Sequence, residues 1–341
     1  TAFLLEKTPE FDVETALKEL HFGIHGQQDA KRQTDELPLR AMNAFKKQGY
    51  AFFKLMFEPF ATRLPKSLLI APHGILALLP FDALLMQDPG ANLQYGLFEY
   101  LGKHHPISYA YSISLHQELK QSSLAVQTVD QLVGFAPEFV NPKSTNTAGS
   151  KSIDSPNFAP IPHSKIEVET IVKKKQGKGY YGNQATEANF IKAAPEAQII
   201  HISTHTWWEP KTGLPCIVFQ PIPDQEENEF LFPNEIYPLR LKADLVVFSA
   251  CETGIGPVEA GGGIASLARA FSFAGARGLV TTLWKVDGLQ SKELMTLFYE
   301  KKTPQSSYSE ALWRAKNAYL EKFPEYVAPY YWAGFNHVGG N

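Results

Sequence analysis

The chain has 341 residues, of which 44% are hydrophobic and 20% are charged, and its formal net charge at pH 7 is -3. This balance is typical of a compact globular protein and excludes a disordered chain, a collagen-like rod and a coiled coil. The small net charge, with lysine and arginine scattered along the chain, argues against nucleic acid as a direct ligand.

The sequence also bears on membranes and on redox environment. No apolar run approaches the roughly 20 residues that a membrane-spanning helix needs, so no membrane partner is expected. A secretory signal has a basic region followed by an apolar stretch, and residues 1–10 show no such pattern. The two cysteines, Cys216 and Cys251, are too few for a disulfide-stapled secreted scaffold. We therefore expect two free thiols and a cytoplasmic location.

The first part of the chain favours helix. Apolar residues recur at intervals of three and four in Glu14–Leu20 and in Leu39–Pro59, and both stretches contain few β-branched side chains. We interpret residues 1–65 as a helical lead-in that provides packing or docking surface.

The next part changes to short apolar runs separated by turn signals. Four such runs are strand candidates: 67–72, 75–80, 107–111 and 131–136. They define an N-terminal lobe at residues 66–140. The stretch that follows is rich in Pro, Ser, Thr, Asn and Gly, so residues 141–162 are predicted to be a linker or mobile loop.

The remainder, residues 163–341, alternates predicted helices and strands. The predicted helices are 164–175, 186–194, 233–236, 263–274, 290–299 and 310–321. The predicted strands are 198–203, 215–219, 243–249 and 278–282, and residues 179–181 are predicted to be a strand or a turn. Such alternation is typical of an α/β fold with a mainly parallel sheet covered by helices on both faces. No internal repeat of 20 to 50 residues is present.

Two reactive side chains follow buried strands in this second part. The apolar run Asp244–Ala250 leads to Cys251, and the run Ile199–Ser203 leads to His205. In an open parallel sheet, ligands bind beyond the carboxyl ends of the strands. A thiol becomes a strong nucleophile when a nearby imidazole takes its proton, so the pair has the minimum parts for acyl transfer.

These residues also have interpretations other than catalysis. A free cysteine at the end of an apolar strand is most often a small buried hydrophobe, and Cys216, with apolar neighbours on both sides, is interpreted as core. Spacing alone leaves catalysis by Cys251 a minority interpretation. Backbone N–H groups of Cys251 and Thr206 are candidates to stabilise the oxyanion that acyl transfer creates.

Two further patterns, a pair of histidines and a run of glycines, give little support for a metal site or a phosphate-binding site. His201 and His205 are four residues apart, but on a strand this spacing covers about 13 Å, too far for both to bind one ion. His201 is therefore expected to be a hydrogen-bonded histidine beside the site. The run Gly261–Gly263 before a predicted helix lacks the rest of a phosphate-binding motif and is interpreted as a loop that shapes the cleft.

Several strings resemble the CHAT family of caspase-like proteins, which is related to separase and the caspases in clan CD. The most specific are His201–His205 and Ser249–Gly254, and further matching strings occur in order. These are Ala71–Gly74, Leu79–Phe81, Tyr109–Ser112, Ala185–Glu187, Gly275–Arg277, Leu283–Asp287 and Pro329–Phe335. The resemblance covers roughly residues 60 to 341.

The resemblance implies a caspase-type three-layer fold with a non-catalytic, pseudo-caspase N-terminal lobe and a C-terminal lobe bearing a Cys–His dyad. By this resemblance, Cys251 corresponds to the nucleophile of the family, and His205, the second histidine of the motif His201–His205, corresponds to the general base. Oxyanion donors are expected from the backbone at Thr206 and Cys251. No cofactor and no metal are expected.

The sequence departs from the family pattern at two positions. The family usually has glycine after the catalytic histidine, where this chain has Thr206, and relatives commonly have an acidic residue where this chain has Gly288. Asp287 is adjacent, but a preference for a basic residue before the scissile bond cannot be assumed. His201, Glu252, Trp284 and Asp287 are the candidate residues of the substrate pocket.

The resemblance also implies regulation. CHAT domains often follow tetratricopeptide repeats or other sensors in bacterial proteins, some of them in defence systems that cleave one protein partner. We expect a protein or peptide substrate, and a regulatory protein or sensor domain that contacts the N-terminal region. The chain would then be a regulated endopeptidase, either a fragment of a longer protein or a short protease. The alternative is a catalytically silent scaffold, which Thr206 favours.

Overall fold

The computed structural model describes residues 11–26, 36–113, 116–117, 131–139, 158–210, 212–222, 229–249 and 263–340. Within these ranges the α-helices are α1 (Val13–His25), α2 (Glu36–Met56), α3 (Leu101–His104), α4 (Ser164–Lys175), α5 (Glu187–Ala193), α6 (Pro233–Ile236), α7 (Gly263–Phe273), α8 (Gly288–Lys301) and α9 (Tyr308–Lys322). The strands are β1 (Leu68–Ile70), β2 (Ile107–Tyr109), β3 (Leu132–Ala136), β4 (Lys178–Tyr181), β5 (Ile199–Ile202), β6 (Thr206–Glu209), β7 (Leu214–Val218), β8 (Phe230–Leu231), β9 (Leu245–Phe248), β10 (Gly278–Thr282) and β11 (Phe335–Gly339).

Eight of these strands form one sheet in the order β1-β2-β11-β10-β9-β5-β3-β4. Every neighbouring pair is parallel except β10 and β11, which are antiparallel. The predicted α/β fold with a mainly parallel sheet is therefore confirmed.

Both faces of this sheet are buried, because alternate residues of its strands enter two different apolar clusters. Along β9, Leu245 and Val247 join one cluster, whereas Val246 and Phe248 join the other. The first cluster includes side chains of α1, α2, α8 and α9, and the second includes side chains of α5, α6 and α7. The strands read as continuous apolar runs for this reason, and the result is a three-layer α-β-α architecture.

Helices α1 and α2 occur where the sequence favours helix, and they pack onto the first cluster, while residues 1–65 as a separate helical lead-in stay a prediction. The Asp12 side chain caps α1 by accepting a hydrogen bond from the Thr15 backbone N–H. Leu17, Leu20 and Ile24, spaced at three and four, are buried on one face of the helix. The lead-in therefore shares its core with the sheet.

The strands of residues 66–140 lie in the same sheet as those of residues 163–341. β2 is parallel to β11, and β3 lies between β5 and β4. The predicted boundary between two lobes thus does not divide the sheet, and the lobe limits remain a prediction of the sequence. Most of the predicted linker 141–162 lies outside the described residues.

One predicted strand is wrong, and three strands were not predicted. Residues 75–80 were expected to be a strand, but Gly74–Leu78 form a 3-10 helix whose apolar side chains pack from one side onto the first cluster. A short apolar run does not distinguish these two structures. The unpredicted strands are β6, β8 and β11, of which β6 and β8 flank β7 in a separate antiparallel sheet.

A buried ion pair joins α9 to a turn of the N-terminal lobe. Lys316 Nζ lies 2.9 Å from Asp82 Oδ1, and both side chains are 4% exposed. Burial raises the pKa of Asp82 and lowers that of Lys316, whereas each partner's charge acts in the opposite direction. Each ion thus depends on the other, since a lone buried charge is strongly destabilising.

His337, on β11, makes the stability of the fold depend on pH. Its side chain is fully buried, neither ring nitrogen has a hydrogen-bond partner among the described residues, and burial lowers its pKa from 6.5 to about 4, with a smaller effect from His116. As pH falls below 6.5, the unfolded chain takes up a proton that folded His337 does not bind. The free energy of unfolding should therefore fall by about 3 kcal/mol between pH 6.5 and pH 4.

Urea unfolding at several pH values in this window checks the prediction. The variant His337→Leu should lose this contribution, so that its stability relative to wild type rises as the pH is lowered. Parallel stability curves for the two proteins would contradict the assignment.

Candidate active site

His205 and Cys251 follow two neighbouring strands in matching register. Ile202, the last residue of β5, is paired with Phe248, the last residue of β9. His205 and Cys251 are each three residues beyond that pair. Cys251 itself lies outside the described residues. The register brings both chain segments to one edge of the sheet.

His205 is anchored through one ring nitrogen. Its side chain is 5% exposed, and Nε2 lies 2.7 Å from the carbonyl oxygen of Ala159. A carbonyl oxygen can only accept a hydrogen bond, so Nε2 carries the proton and donates it. In a neutral imidazole the lone pair is then on Nδ1, which is the atom suited to act as a base.

Aromatic rings hold the plane of this imidazole. The centroid of the Phe139 ring lies 4.9 Å from that of His205, and the Phe158 ring is stacked on it at 5.3 Å with an interplanar angle of 25°. Phe158 immediately precedes Ala159, so the same short segment supplies both the ring and the carbonyl oxygen. The hydrogen bond and the two rings together fix the orientation of the His205 imidazole.

Thr206 is the first residue of β6, and the pairing of β6 with β7 sets the direction in which the Thr206 backbone N–H points. The Val218 N–H donates to the His205 carbonyl oxygen over 2.9 Å, which makes these two residues a hydrogen-bonded pair. Antiparallel pairs alternate, so the next pair, Thr206 with Ile217, directs its N–H groups away from the partner strand. A direction away from β7 is compatible with the predicted oxyanion role, which stays a prediction.

The backbone at Thr206 also does not need glycine. Among the described residues other than glycine, positive φ angles occur only at Gln176 and Arg240. Thr206 adopts extended backbone, which a β-branched side chain favours. The departure from the family pattern at this position therefore introduces no backbone strain.

His201 lies in the core rather than at the surface of a cleft. It is fully buried, with Nε2 2.8 Å from Glu167 Oε1 and Nδ1 3.0 Å from the Tyr299 hydroxyl. Burial raises the pKa of Tyr299 well above its ordinary value, so the phenol keeps its proton and donates it to Nδ1. This arrangement matches the expected hydrogen-bonded strand histidine. Both nitrogens are engaged, so His201 does not offer a polar atom to a substrate pocket.

Two other candidate pocket residues have structural contacts. Trp284 is 3% exposed, and its Nε1 donates to the Tyr330 carbonyl oxygen over 2.9 Å. The exposed Asp287 caps α8, because its Oδ1 accepts from the N–H groups of Leu289 and Gln290 at 3.0 Å each. Glu252 lies outside the described residues. The pocket that these residues were expected to form stays a prediction.

Cys216 is buried, as predicted, in the middle strand of the small sheet. Its side chain is fully buried, and burial raises the pKa of the thiol to about 12. A thiol that remains protonated is a poor nucleophile. We expect iodoacetamide at pH 8 to modify Cys251 in the folded protein and to leave Cys216 unmodified, as measured by peptide mass spectrometry. Equal modification of both cysteines would contradict this difference.

The described residues contain neither a cluster of metal ligands nor a helix that could span a membrane. Within them, no group of three or more His, Cys, Asp and Glu side chains is arranged to hold a metal ion. No helix in those ranges combines the length and apolarity needed to cross a membrane. The expected glycine loop at 261–263 lies outside the described part, apart from Gly263, which begins α7.

Sequence reasoning missed the residues that surround His205. Ala159 contributes only its backbone carbonyl, 46 residues away in the chain, and an alanine carries no chemical signal. Phe139 lies just before residues 141–162, which the sequence predicts to be a linker, and Phe158 lies inside that stretch. Isolated aromatic residues in and beside a polar stretch were the available signal.

The family profile with the description "CHAT domain" matches residues 46–340. The chain belongs to the CHAT domain family.

Relatives and solved structures extend this assignment. Tetratricopeptide repeat protein 28 of Mus musculus is 23% identical over 353 residues, covering 92% of this chain and 14% of that protein. The corresponding protein of Homo sapiens is 24% identical, covering 90% of this chain and 14% of that protein. This CHAT chain thus spans about a seventh of the length of these curated relatives.

Among solved structures, separase in the separase–securin complex of Saccharomyces cerevisiae has a TM-score of 0.51 at 11% identity, covering 98% of this chain and 21% of that one. A complex of the pro- and mature domains of Porphyromonas gingivalis RgpB has a TM-score of 0.47 at 10% identity, covering 96% of this chain and 75% of that one. The likeness to separase shows that this CHAT domain has a caspase-like fold. Catalysis does not follow from fold alone.

Proposed function

We propose that this CHAT domain is a cysteine endopeptidase in which Cys251 is the nucleophile and His205 the general base. The observation that carries the proposal is the hydrogen bond from His205 Nε2 to the Ala159 carbonyl oxygen. It leaves the lone pair on Nδ1, at the edge of the sheet where β9 leads to Cys251. A base whose tautomer is fixed by a second group is the arrangement that nucleophilic catalysis requires.

The reaction follows from these groups. The Cys251 thiol transfers its proton to His205 Nδ1, and the thiolate attacks the peptide carbonyl carbon. Backbone N–H groups of Thr206 and Cys251 are proposed to stabilise the oxyanion. The imidazolium then protonates the leaving amine from Nδ1, which leaves a thioester on Cys251. Water attacks the thioester carbonyl carbon and gives a proton to Nδ1. The carbon–sulfur bond then breaks to release the free acid, and the imidazolium returns its proton to the Cys251 thiolate.

The Ala159 carbonyl oxygen contributes to both halves of this cycle. When Nδ1 takes up a proton, the ring becomes positively charged, and the hydrogen bond from Nε2 to the carbonyl dipole strengthens. The imidazolium is then stabilised without a carboxylate partner. The substrate is proposed to be a protein, and a regulatory protein or sensor domain is proposed to contact the N-terminal region. A cytoplasmic location and a role in bacterial defence or signalling stay predictions.

The test is cleavage of a proteome-derived peptide library by the purified chain, alone and with candidate activating proteins. Cleavage should require both Cys251 and His205, so the variants Cys251→Ala and His205→Ala should be inactive. Cleavage that persists in Cys251→Ala would show the mechanism to be wrong. No cleavage under any condition would favour the silent scaffold instead.

A further inference from the structure

Four aromatic side chains, Phe139, Phe158, Trp207 and Phe230, form a connected group of rings that begins at His205, and we call this group the aromatic wall. The rings of Phe139 and Phe158 contact the imidazole, with centroids 4.9 Å and 5.3 Å away. Phe158 in turn lies 6.3 Å from Phe230, and Phe230 lies 5.0 Å from Trp207. The wall is thus a continuous surface that begins at the imidazole.

The register of the small sheet places this surface. His205 is opposite Val218, and Val218 is paired with Phe230, while Trp207 is paired with Cys216. Successive side chains of a strand alternate between faces, so His205, Trp207 and Phe230 share one face. The middle strand contributes the small side chains of Cys216 and Val218 there, which lets the large rings of the outer strands meet above them.

The aromatic wall differs from an ordinary core cluster in its exposure. Each of its four residues is partly exposed. By contrast, Phe135, Phe190 and Phe219 form an aromatic cluster in which each side chain is fully buried. Partly exposed rings beside a candidate base, at the carboxyl edge of a parallel sheet, are placed where ligands bind.

The chemistry of acyl transfer determines which part of a substrate meets this surface. His205 must donate a proton to the leaving nitrogen as the carbon–nitrogen bond breaks, so that nitrogen lies within hydrogen-bond reach of Nδ1. The residue that contributes the nitrogen is the one after the scissile bond. The rings that flank the imidazole are therefore the candidates to contact its side chain.

We propose that the aromatic wall is the subsite for the residue immediately after the scissile bond and that it takes a large apolar side chain. The proposal rests on the proposed peptidase function and adds the substrate class. Apolar contact with four rings removes substantial surface from water. A carboxylate in the same place would lose hydration without gaining a cationic partner from the wall.

The activity test uses peptides that differ only at the position after the scissile bond. We expect kcat/KM for phenylalanine or leucine at this position to exceed that for serine or aspartate by about tenfold or more. The variant Trp207→Ala should reduce this ratio. Trp208→Ala is a matched control, because the same residue type lies next in β6 on the opposite face. Cleavage with no such ratio, or a preference for arginine over phenylalanine, overturns the inference while the peptidase function stands.

A binding test makes the result independent of turnover. Peptides that begin with phenylalanine or with serine mimic the leaving fragment, and their affinity for Cys251→Ala protein can be measured by calorimetry. The phenylalanine peptide should bind about tenfold more tightly or better, and Trp207→Ala, but not Trp208→Ala, should remove the difference. Equal affinities, or undetectable binding of both peptides, would overturn the assignment of the aromatic wall. Loss of cleavage with retained selective binding would contradict the peptidase function alone.

Discussion

Replacing His205 by alanine is expected to lower kcat/KM for peptide cleavage by about 10²- to 10⁴-fold, the usual contribution of a general acid–base group. The reason is that Nδ1 is needed twice, once to take the Cys251 proton and once to protonate the leaving amine. The variant His205→Gln should be equally impaired, because an amide cannot carry a proton between these steps. Initial rates on one fluorogenic peptide, measured with excess enzyme, would give the ratio.

His201 supplies the matched control for that measurement. The variant His201→Gln removes the hydrogen bonds to Glu167 and Tyr299 within the core. It should lower the unfolding midpoint in urea, while kcat/KM of the folded fraction stays within about tenfold of wild type. Circular dichroism at the assay temperature would separate loss of structure from loss of chemistry. If His201→Gln abolished turnover with the fold intact and His205→Gln did not, the two histidines would have to exchange roles.

The largest expected effect on stability comes from Lys316. The variant Lys316→Met leaves Asp82 buried without its cation, which should lower the free energy of unfolding by about 3–5 kcal/mol. The physical reason is that the carboxylate has lost both water and its ion partner. Equilibrium unfolding in urea at pH 7 gives the difference directly.

Two further variants test this explanation. Lys322, on the same helix, forms a 3.4 Å ion pair with Glu293, and its side chain is 57% exposed. Lys322→Met should therefore change stability by less than about 1 kcal/mol. The double variant Lys316→Met with Asp82→Leu removes both buried charges and should recover most of the lost stability. A double variant as unstable as Lys316→Met alone would show that packing, rather than charge, causes the loss.

Much of the central sheet could be predicted because its strands are buried on both faces. Ile199–Ile202 and Leu245–Phe248 are continuous apolar runs, and the polar residues that follow them stand at the carboxyl edge. Helix α8 was also predicted, although its start at Gly288 is set by the Asp287 cap. Local sequence determines these elements, so local reasoning finds them.

The elements that were missed depend on contacts between distant segments. The strand Phe335–Gly339 contains Asn336 and His337, two polar residues that are buried. They interrupt the apolar run by which a buried strand is recognised in a sequence. Strand β6 pairs with β7 across a turn at Gly213, whose φ of +64° favours glycine. That glycine was the available signal for a hairpin, but two tryptophans beside a histidine do not indicate which segment they pair with.

The candidate site likewise has a part that the sequence predicts and a part that depends on contacts between distant segments. Cys251 and His205 were proposed from strand ends and from the family resemblance, whereas the partner of the imidazole is a main-chain atom. No side-chain property of Ala159 indicates that its carbonyl oxygen accepts this hydrogen bond. The pocket residues Trp284 and Asp287 have packing and capping contacts that sequence patterns do not distinguish from substrate contacts.

The main-chain nature of that partner has a consequence for variation. Every amino acid at position 159 retains a carbonyl oxygen, so substitution there cannot delete the acceptor in the way that an aspartate partner can be deleted. What the imidazole depends on is the path of the chain through residues 158–160. Insertions or deletions near residues 158–160 would therefore disturb the orientation of the His205 imidazole more than point substitutions would. An alignment of side chains would not reveal which relatives keep this hydrogen bond.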